Sequence, residues 1–203
     1  MIAVIDYNMG NLASVQNALA KIGANSKIIS DPDDVKSYDK ILLPGVGAFG
    51  DAMEHLRQNG MDEAIKEFAK SGKPMIGICL GMQLLFSKSF EFGEHKGLDL
   101  ISGKVVPFNQ NSFNRPQKVP HMGWNELFVQ KETPLFKNLP KRFYLYFVHS
   151  YHVVTLDEYV LGKTYYGYEF VSAVLHNNIY GIQPHPEKSH ENGLQILSNF
   201  VEI

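Results

Sequence analysis

Residues 74–85 read Pro-Met-Ile-Gly-Ile-Cys-Leu-Gly-Met-Gln-Leu-Leu. The short apolar run Met75 to Ile78 passes through Cys79 into a helix-forming run, with Gly77 and Gly81 two residues to either side of the cysteine. A buried strand that turns sharply into a helix crowds its own backbone, and glycines at these two positions relieve the clash. The spacing predicts a nucleophile elbow that projects the Cys79 side chain from the C-terminal end of a strand. There the free N–H groups of a helix start, and the positive end of its dipole, favour thiolate over thiol. The backbone N–H of Leu80 points to the same place and is a candidate oxyanion donor. The pattern is short, and a cysteine that merely fills a strand end would show the same glycines.

The segments before the elbow repeat the alternation of strand and helix. Met1 to Ile5 reads as a strand, and Asn11 to Ile22 as a helix with Leu12, Val15, Leu19 and Ile22 on one face and Gly23 as its stop. Lys27 to Ile29 and Ile41 to Leu43 read as further strands, the latter running into the turn Pro44-Gly-Val-Gly47. Asp51 to Lys70 is helical with a break at Gly60. This is the pattern of a parallel sheet covered by helices. Beyond the elbow the character changes. Lys104 to Pro107, Phe143 to Val148, Tyr159 to Tyr166, Val171 to Leu175 and Ile179 to Ile182 read as strands, and Glu187 to Phe200 as a closing helix. Gln110 to Lys118, polar and containing Pro116, is expected to be a mobile surface loop.

At 203 residues and 44% hydrophobic, the chain has the material for one substantial core, so one domain over residues 1–203 is expected. A net charge of −2 with both signs interspersed provides no basic stripe for nucleic acid. No secretory signal pattern opens the chain, and no apolar run reaches the length of a membrane span, so a soluble, cytoplasmic protein without a membrane partner is expected. A single cysteine has no internal disulfide partner, which leaves Cys79 either a buried hydrophobe or a reactive thiol.

A second constellation supplies what a reactive thiol needs. In Gly181-Ile-Gln-Pro-His-Pro-Glu-Lys-Ser189, His185 and Glu187 are separated by one proline. Pro186 biases His185 toward an extended backbone, in which residues two apart point to the same side. The Glu187 carboxylate then orients one imidazole nitrogen while the other faces the cysteine, the arrangement of a general base with its orienting partner. Taken alone, His-Pro-Glu near a helix start is more often a capping arrangement. The other histidines show no metal-ligand spacing with an acidic partner, so no metal is expected.

The elbow cysteine followed by His-Pro-Glu resembles the class I glutamine amidotransferase family, whose triad is Cys-His-Glu in this chain order. Six blocks across nearly the whole chain are similar to the glutaminase-subunit branch that serves imidazole glycerol phosphate synthases. They are Asp6-Tyr-Asn-Met-Gly-Asn-Leu, Leu43-Pro-Gly-Val-Gly-Ala-Phe-Gly-Asp-Ala-Met, Gly77-Ile-Cys-Leu-Gly-Met-Gln-Leu-Leu, Pro120-His-Met-Gly-Trp-Asn, Tyr146-Phe-Val-His-Ser-Tyr and His185-Pro-Glu-Lys-Ser. The resemblance implies a flavodoxin-like three-layer α/β fold with a mostly parallel central sheet. It also implies Cys79, His185 and Glu187 as the catalytic triad, and a switchable oxyanion strand in which Val46 and Gly47 join Leu80. Gln83, Glu91, Ser150 and Tyr151 match positions along the bound glutamine, and Asn11, Met122, Trp124 and Lys188 lie in segments that face the partner. One departure is Pro184, where similar proteins usually carry an aromatic residue.

The implied chemistry is hydrolysis of glutamine to glutamate and ammonia through a thioester on Cys79, with no cofactor. The implied partner is a (β/α)-barrel synthase subunit in a heterodimer. It uses the ammonia to make imidazole glycerol phosphate and aminoimidazole-carboxamide ribotide for histidine biosynthesis. Two alternatives stay open at this level: a paralogous glutaminase feeding a surface-sugar amidination enzyme, and a regulatory or binding subunit impaired through Pro184.

Overall fold

The computed structural model describes residues 1–203. The first half runs β1 (Ile2–Ile5), α1 (Leu12–Lys21), β2 (Ser26–Ile29), β3 (Lys40–Leu43), α2 (Phe49–Gln58), α3 (Met61–Lys70), β4 (Met75–Ile78) and α4 (Leu80–Leu84). It continues with β5 (Phe86–Ser89), β6 (His95–Lys96), β7 (Ile101–Pro107), β8 (His121–Val129), β9 (Arg142–His149) and β10 (Tyr151–Thr155). Last come β11 (Val160–Tyr166), β12 (Tyr168–His176), β13 (Ile179–Ile182) and α5 (His190–Glu202).

All thirteen strands join one sheet. Its core is the parallel set β2-β1-β3-β4-β13, in which the last strand of the chain inserts beside the strand that carries the elbow. The inner strands are mostly apolar, and β1 and β4 are buried at every position, which requires cover on both faces. Alternation divides the cover. Ala3, Ile5, Ile41 and Leu43 pack with Phe49, Met53, Leu56, Ile65 and Phe68 of α2 and α3, whereas Ile2, Val4 and Leu42 pack with Val15, Leu19, Ile196 and Phe200 of α1 and α5. The result is the three-layer α/β architecture with a mostly parallel core. Each fully buried Leu, Ile or Phe in these layers contributes roughly 1.5–3 kcal/mol. Beyond β13 the sheet continues as antiparallel β12-β10-β7, with β11, β8 and β9 branching from β12.

Several expectations are revised. The break expected at Gly60 is there, at φ 81, and divides the stretch into two helices, the first of which begins at Phe49 rather than Asp51. The closing helix begins at His190 rather than Glu187, because Pro186–Lys188 forms a separate 3-10 turn. The helix after the elbow has only five residues, so its contribution at Cys79 comes from its first N–H groups rather than from a long dipole. Strands β5, β6, β8 and β10 were not anticipated. The loop over residues 110–118 is largely exposed but pinned: Phe113 packs edge-on and tilted against Phe108, Tyr166 and Tyr168.

Candidate active site

Cys79 sits at φ 54, ψ −111, a left-handed conformation that costs a non-glycine residue about 1–3 kcal/mol and persists only where its surroundings enforce it. The enforcement is visible. The Cys79 N–H donates to the Ile182 carbonyl on β13 at 2.8 Å, and its carbonyl accepts from Gln83 N at 3.2 Å. A Cβ on Gly77 would stand 2.5 Å from the Gly81 carbonyl oxygen, and one on Gly81 would run into the Leu43 carbonyl, so neither position tolerates a side chain. The sulfur is buried at the junction, 3.9 Å from the Val148 carbonyl and 3.7 Å from Gln183 Nε2. The Leu80 N–H makes no hydrogen bond within the protein.

His185 lies directly after β13's extension, with an extended backbone at φ −99, ψ 95. Its Nδ1 meets Glu187 Oε1 at 2.7 Å, and both side chains are almost wholly buried. The backbone is held from β9: His185 N donates to the Tyr146 carbonyl at 2.8 Å. Ser189 Oγ donates to the His185 carbonyl at 2.6 Å and accepts from Tyr146 N at 2.9 Å. Pro184 is buried and leaves these bonds intact, since its missing N–H is not among them. Two atoms of the pair remain buried without a partner, His185 Nε2 and Glu187 Oε2. Burial pushes the imidazole pKa down, but the negative charge of Cys79 and the bond to Glu187 outweigh it and raise it to about 10. Cys79 acts on the ring chiefly through charge, because Nε2 has no hydrogen-bond partner of ordinary geometry.

The Pro44–Gly47 turn approaches the elbow from β3. Tyr7, buried beneath it, donates its hydroxyl to the Pro44 carbonyl at 2.7 Å. Burial and then the charge of Cys79 raise the Tyr7 pKa, which keeps the phenol protonated as a donor. Gly47 has φ 104, open to glycine and unfavourable for Val46, which stays outside the left-handed region. Neither Val46 nor Gly47 donates its N–H within the protein, and both are exposed.

Gln83 and Tyr151 meet beside the sulfur. Gln83 Nε2 donates to the Tyr151 carbonyl at 3.1 Å and to Gln183 Oε1 at 3.0 Å. Ser150 joins β9 to β10, and its carbonyl accepts from Phe108 N at 3.2 Å. Glu91 serves a purpose that its sequence position did not suggest: Oε2 accepts the Phe49 N–H at 2.7 Å, capping the start of α2. Burial is the main cause that raises its pKa, against the lowering bond from Phe49.

The four residues matched to a partner face, Asn11, Met122, Trp124 and Lys188, are all exposed. Met122 and Trp124 alternate outward along β8, 62% and 47% exposed, and Trp124 stacks flat on His190 with ring centroids 5.0 Å apart. Two adjoining hollows share Lys21 and His190; one reaches Trp124, the other Glu187 and Lys188. Asn11 is exposed at the start of α1, its side chain accepting from Ser14 N. No group of three or more His, Cys, Asp or Glu side chains lies close enough together to hold a metal ion.

Three contributors escaped the sequence reading. Gln183 shares the period-two side of the chain with His185 and Glu187, a signal available from the alternation Gln-Pro-His-Pro-Glu. Tyr7 carried no such signal. Nor did the chain of bonds in which Asn125 Nδ2 reaches His121 Nε2 at 3.1 Å, His121 Nδ1 reaches His149 Nε2 at 3.0 Å, and His149 Nδ1 reaches the Tyr151 carbonyl at 2.8 Å.

Comparison with known proteins places this geometry. The family model for glutamine amidotransferase class-I matches residues 3–203. The imidazole glycerol phosphate synthase subunit HisH of Sulfurimonas denitrificans is 67% identical, covering 100% of this chain and 98% of that protein. The subunit of the same name from Wolinella succinogenes is 58% identical with complete coverage of both, and that of Helicobacter hepaticus 48% identical over 100% and 98%. Among solved structures, PurLQS from Thermotoga maritima aligns with a TM-score of 0.77 at 23% identity, covering 99% of this chain and 97% of that one, a likeness of fold alone. The chain belongs to the glutamine amidotransferase class-I family, among its imidazole glycerol phosphate synthase HisH subunits.

Proposed function

We propose that this chain is a single-domain glutaminase subunit that hydrolyses glutamine to glutamate and ammonia and passes the ammonia to a (β/α)-barrel synthase subunit in histidine biosynthesis. The observation that carries the chemistry is a strained elbow cysteine beside a buried His185–Glu187 pair joined at 2.7 Å. The thiolate of Cys79 adds to the carboxamide carbon of glutamine, and the C=O electron pair moves to oxygen. The N–H groups of Leu80 and of Val46 or Gly47, free of partners within the protein, receive that oxyanion. His185, held as imidazolium, protonates the departing ammonia; Glu187 fixes its tautomer. A glutamyl thioester remains, and water activated by His185 releases glutamate.

Gln83, Glu91, Ser150 and Tyr151 line the side on which the amino-acid end of the substrate lies. The spare oxygen of Glu91 and Gln83 Oε1 are acceptors suited to an ammonium group. Asn11, Met122, Trp124 and Lys188 face the synthase partner in a heterodimer, and the family relatives named above carry the name of that synthase. No helix is long and apolar enough to cross a membrane, and a cytoplasmic setting fits a biosynthetic complex. Neither the surface-sugar alternative nor the impaired regulatory one gains support from those relatives.

The test is glutamine hydrolysis measured with and without the barrel partner, on wild type and Cys79→Ala. Turnover is expected only in the wild type and to rise with the loaded partner. Equal rates in both proteins would remove Cys79 as nucleophile; equal rates with and without partner would remove the conditional switch.

A further inference from the structure

One polar side chain outside the triad touches the reacting sulfur. Gln183 is completely buried on the two-residue bend between β13 and His185, and its backbone N–H is tied to the Ser172 carbonyl of β12 at 2.9 Å. Its side-chain nitrogen lies 3.7 Å from Cys79 Sγ and its oxygen 3.0 Å from Gln83 Nε2.

The orientation of that amide follows from its neighbours. The Tyr151 carbonyl only accepts hydrogen bonds, so the Gln83 amide must present its nitrogen there. The same nitrogen faces Gln183, which obliges Gln183 to present oxygen to Gln83 and nitrogen to the sulfur. The other neighbour of the sulfur, the Val148 carbonyl at 3.9 Å, only accepts. A thiol therefore donates toward Val148, and outside the triad a thiolate has one side-chain donor, the Gln183 N–H. An amide fixed at its oxygen end is a preoriented dipole with its positive end on the sulfur, the arrangement that favours an anion without reorganisation.

We propose that Gln183 is a further catalytic residue, stabilising and aiming the Cys79 thiolate through an amide oriented from the Tyr151 carbonyl by way of Gln83. This rests on Cys79 as nucleophile. It assigns Gln83 a double place, since both of its amide hydrogens are spent within the protein and only its oxygen is left for a ligand.

The experiment uses the full chain and its single cysteine, which makes any thiol adduct unambiguous. The rate of Cys79 alkylation by iodoacetamide is followed against pH by intact mass for wild type, Gln183→Glu and Gln183→Met, with thermal melting of each. Gln183→Glu keeps an oxygen for Gln83 but turns the donor at the sulfur into a negative acceptor. Alkylation at neutral pH is expected to fall about tenfold or more in both variants, and further in Gln183→Glu. Glutaminase kcat of Gln183→Glu is expected to fall by a similar factor with KM little changed. Superimposable alkylation profiles in wild type and a folded variant would overturn the proposal. Should neither variant fold, the wild-type protein decides: the Gln183 side-chain amide resonance must move on alkylation of Cys79, and a resonance that stays in place overturns it. Full activity in Cys79→Ala sinks the nucleophile assignment instead, which separates the two failures.

Discussion

His185 and His121 are equally buried, each 2% exposed, yet they are driven in opposite directions. His121 stacks between Phe147 and Tyr166 with only neutral groups at its nitrogens, and burial pushes its pKa down to about 4. His149 and His152, in the same aromatic cluster, are lowered for the same first reason. His185 suffers the same desolvation but stands beside the charge of Cys79 and the Glu187 carboxylate, and ends at about 10. Burial alone makes a neutral structural link, and burial with two anionic neighbours makes a held proton. The neutral chain from Asn125 through His121 and His149 ends on the Tyr151 carbonyl, which also accepts from Gln83, so the two regions adjoin there.

The largest expected effect comes from removing the first of those anionic neighbours. Cys79→Ala should lower glutamine turnover by about 10⁴-fold or more, and the His185 ring resonance, followed by NMR, should titrate well below its wild-type midpoint. A ring that still titrates near 10 would show that the thiolate is not what distinguishes His185 from His121. Glu187→Gln keeps the shape and removes the charge; turnover should drop about 10²–10⁴-fold, with a smaller downward move of the same resonance. In the neutral cluster, His121→Phe leaves His149 Nε2 buried without its donor, at a cost of about 1–3 kcal/mol in urea denaturation. The His185 titration should move little, because His121 is neutral and reaches it only by way of His149; a large movement would mean that the neutral chain helps to hold that proton.

The smallest effect is in the dependence of stability on pH, and it has opposite signs in the two regions. His185, raised from 6.5 to about 10, contributes fully below pH 6.5 and loses that contribution as the pH climbs through about 10. His121, lowered to about 4, contributes fully above 6.5 and loses it as the pH falls through about 4. Denaturation midpoints across pH should therefore decline on both sides, and His121→Asn should flatten the acid limb only.

The two regions also differ in how far the sequence disclosed them. The elbow and His-Pro-Glu were legible because local chain geometry creates them: glycines where backbones touch, and prolines that hold an extended stretch. The parallel strands were legible as short, mostly apolar runs. Strand β8 was hidden because His121, Gly123, Trp124 and Asn125 break the apolar alternation, and His121, Trp124 and Asn125 answer to long-range partners. Gln183 carried a visible period-two signal, whereas Tyr7 and Glu91 did not: one is set by contact with a carbonyl 37 residues away, the other with an N–H 42 residues away. Such residues are placed by the sheet, and their neighbours in sequence say little about them.

Those last two bonds have a mechanical consequence. Tyr7 grips the chain at the Pro44 carbonyl and Glu91 grips it at the Phe49 N–H, so the four residues from Gly45 to Ala48 form a span clamped at both ends. A bridge so short, roughly 13–14 Å of fully stretched chain, has little room to travel, so rotation of its peptide planes about the line between the clamps is the motion left to it. Gly47, exposed and at φ 104, has a freedom to turn that the buried Gly45 lacks. Loosening either clamp would add displacement to rotation, and the N–H groups of Val46 and Gly47 would no longer be confined near one line.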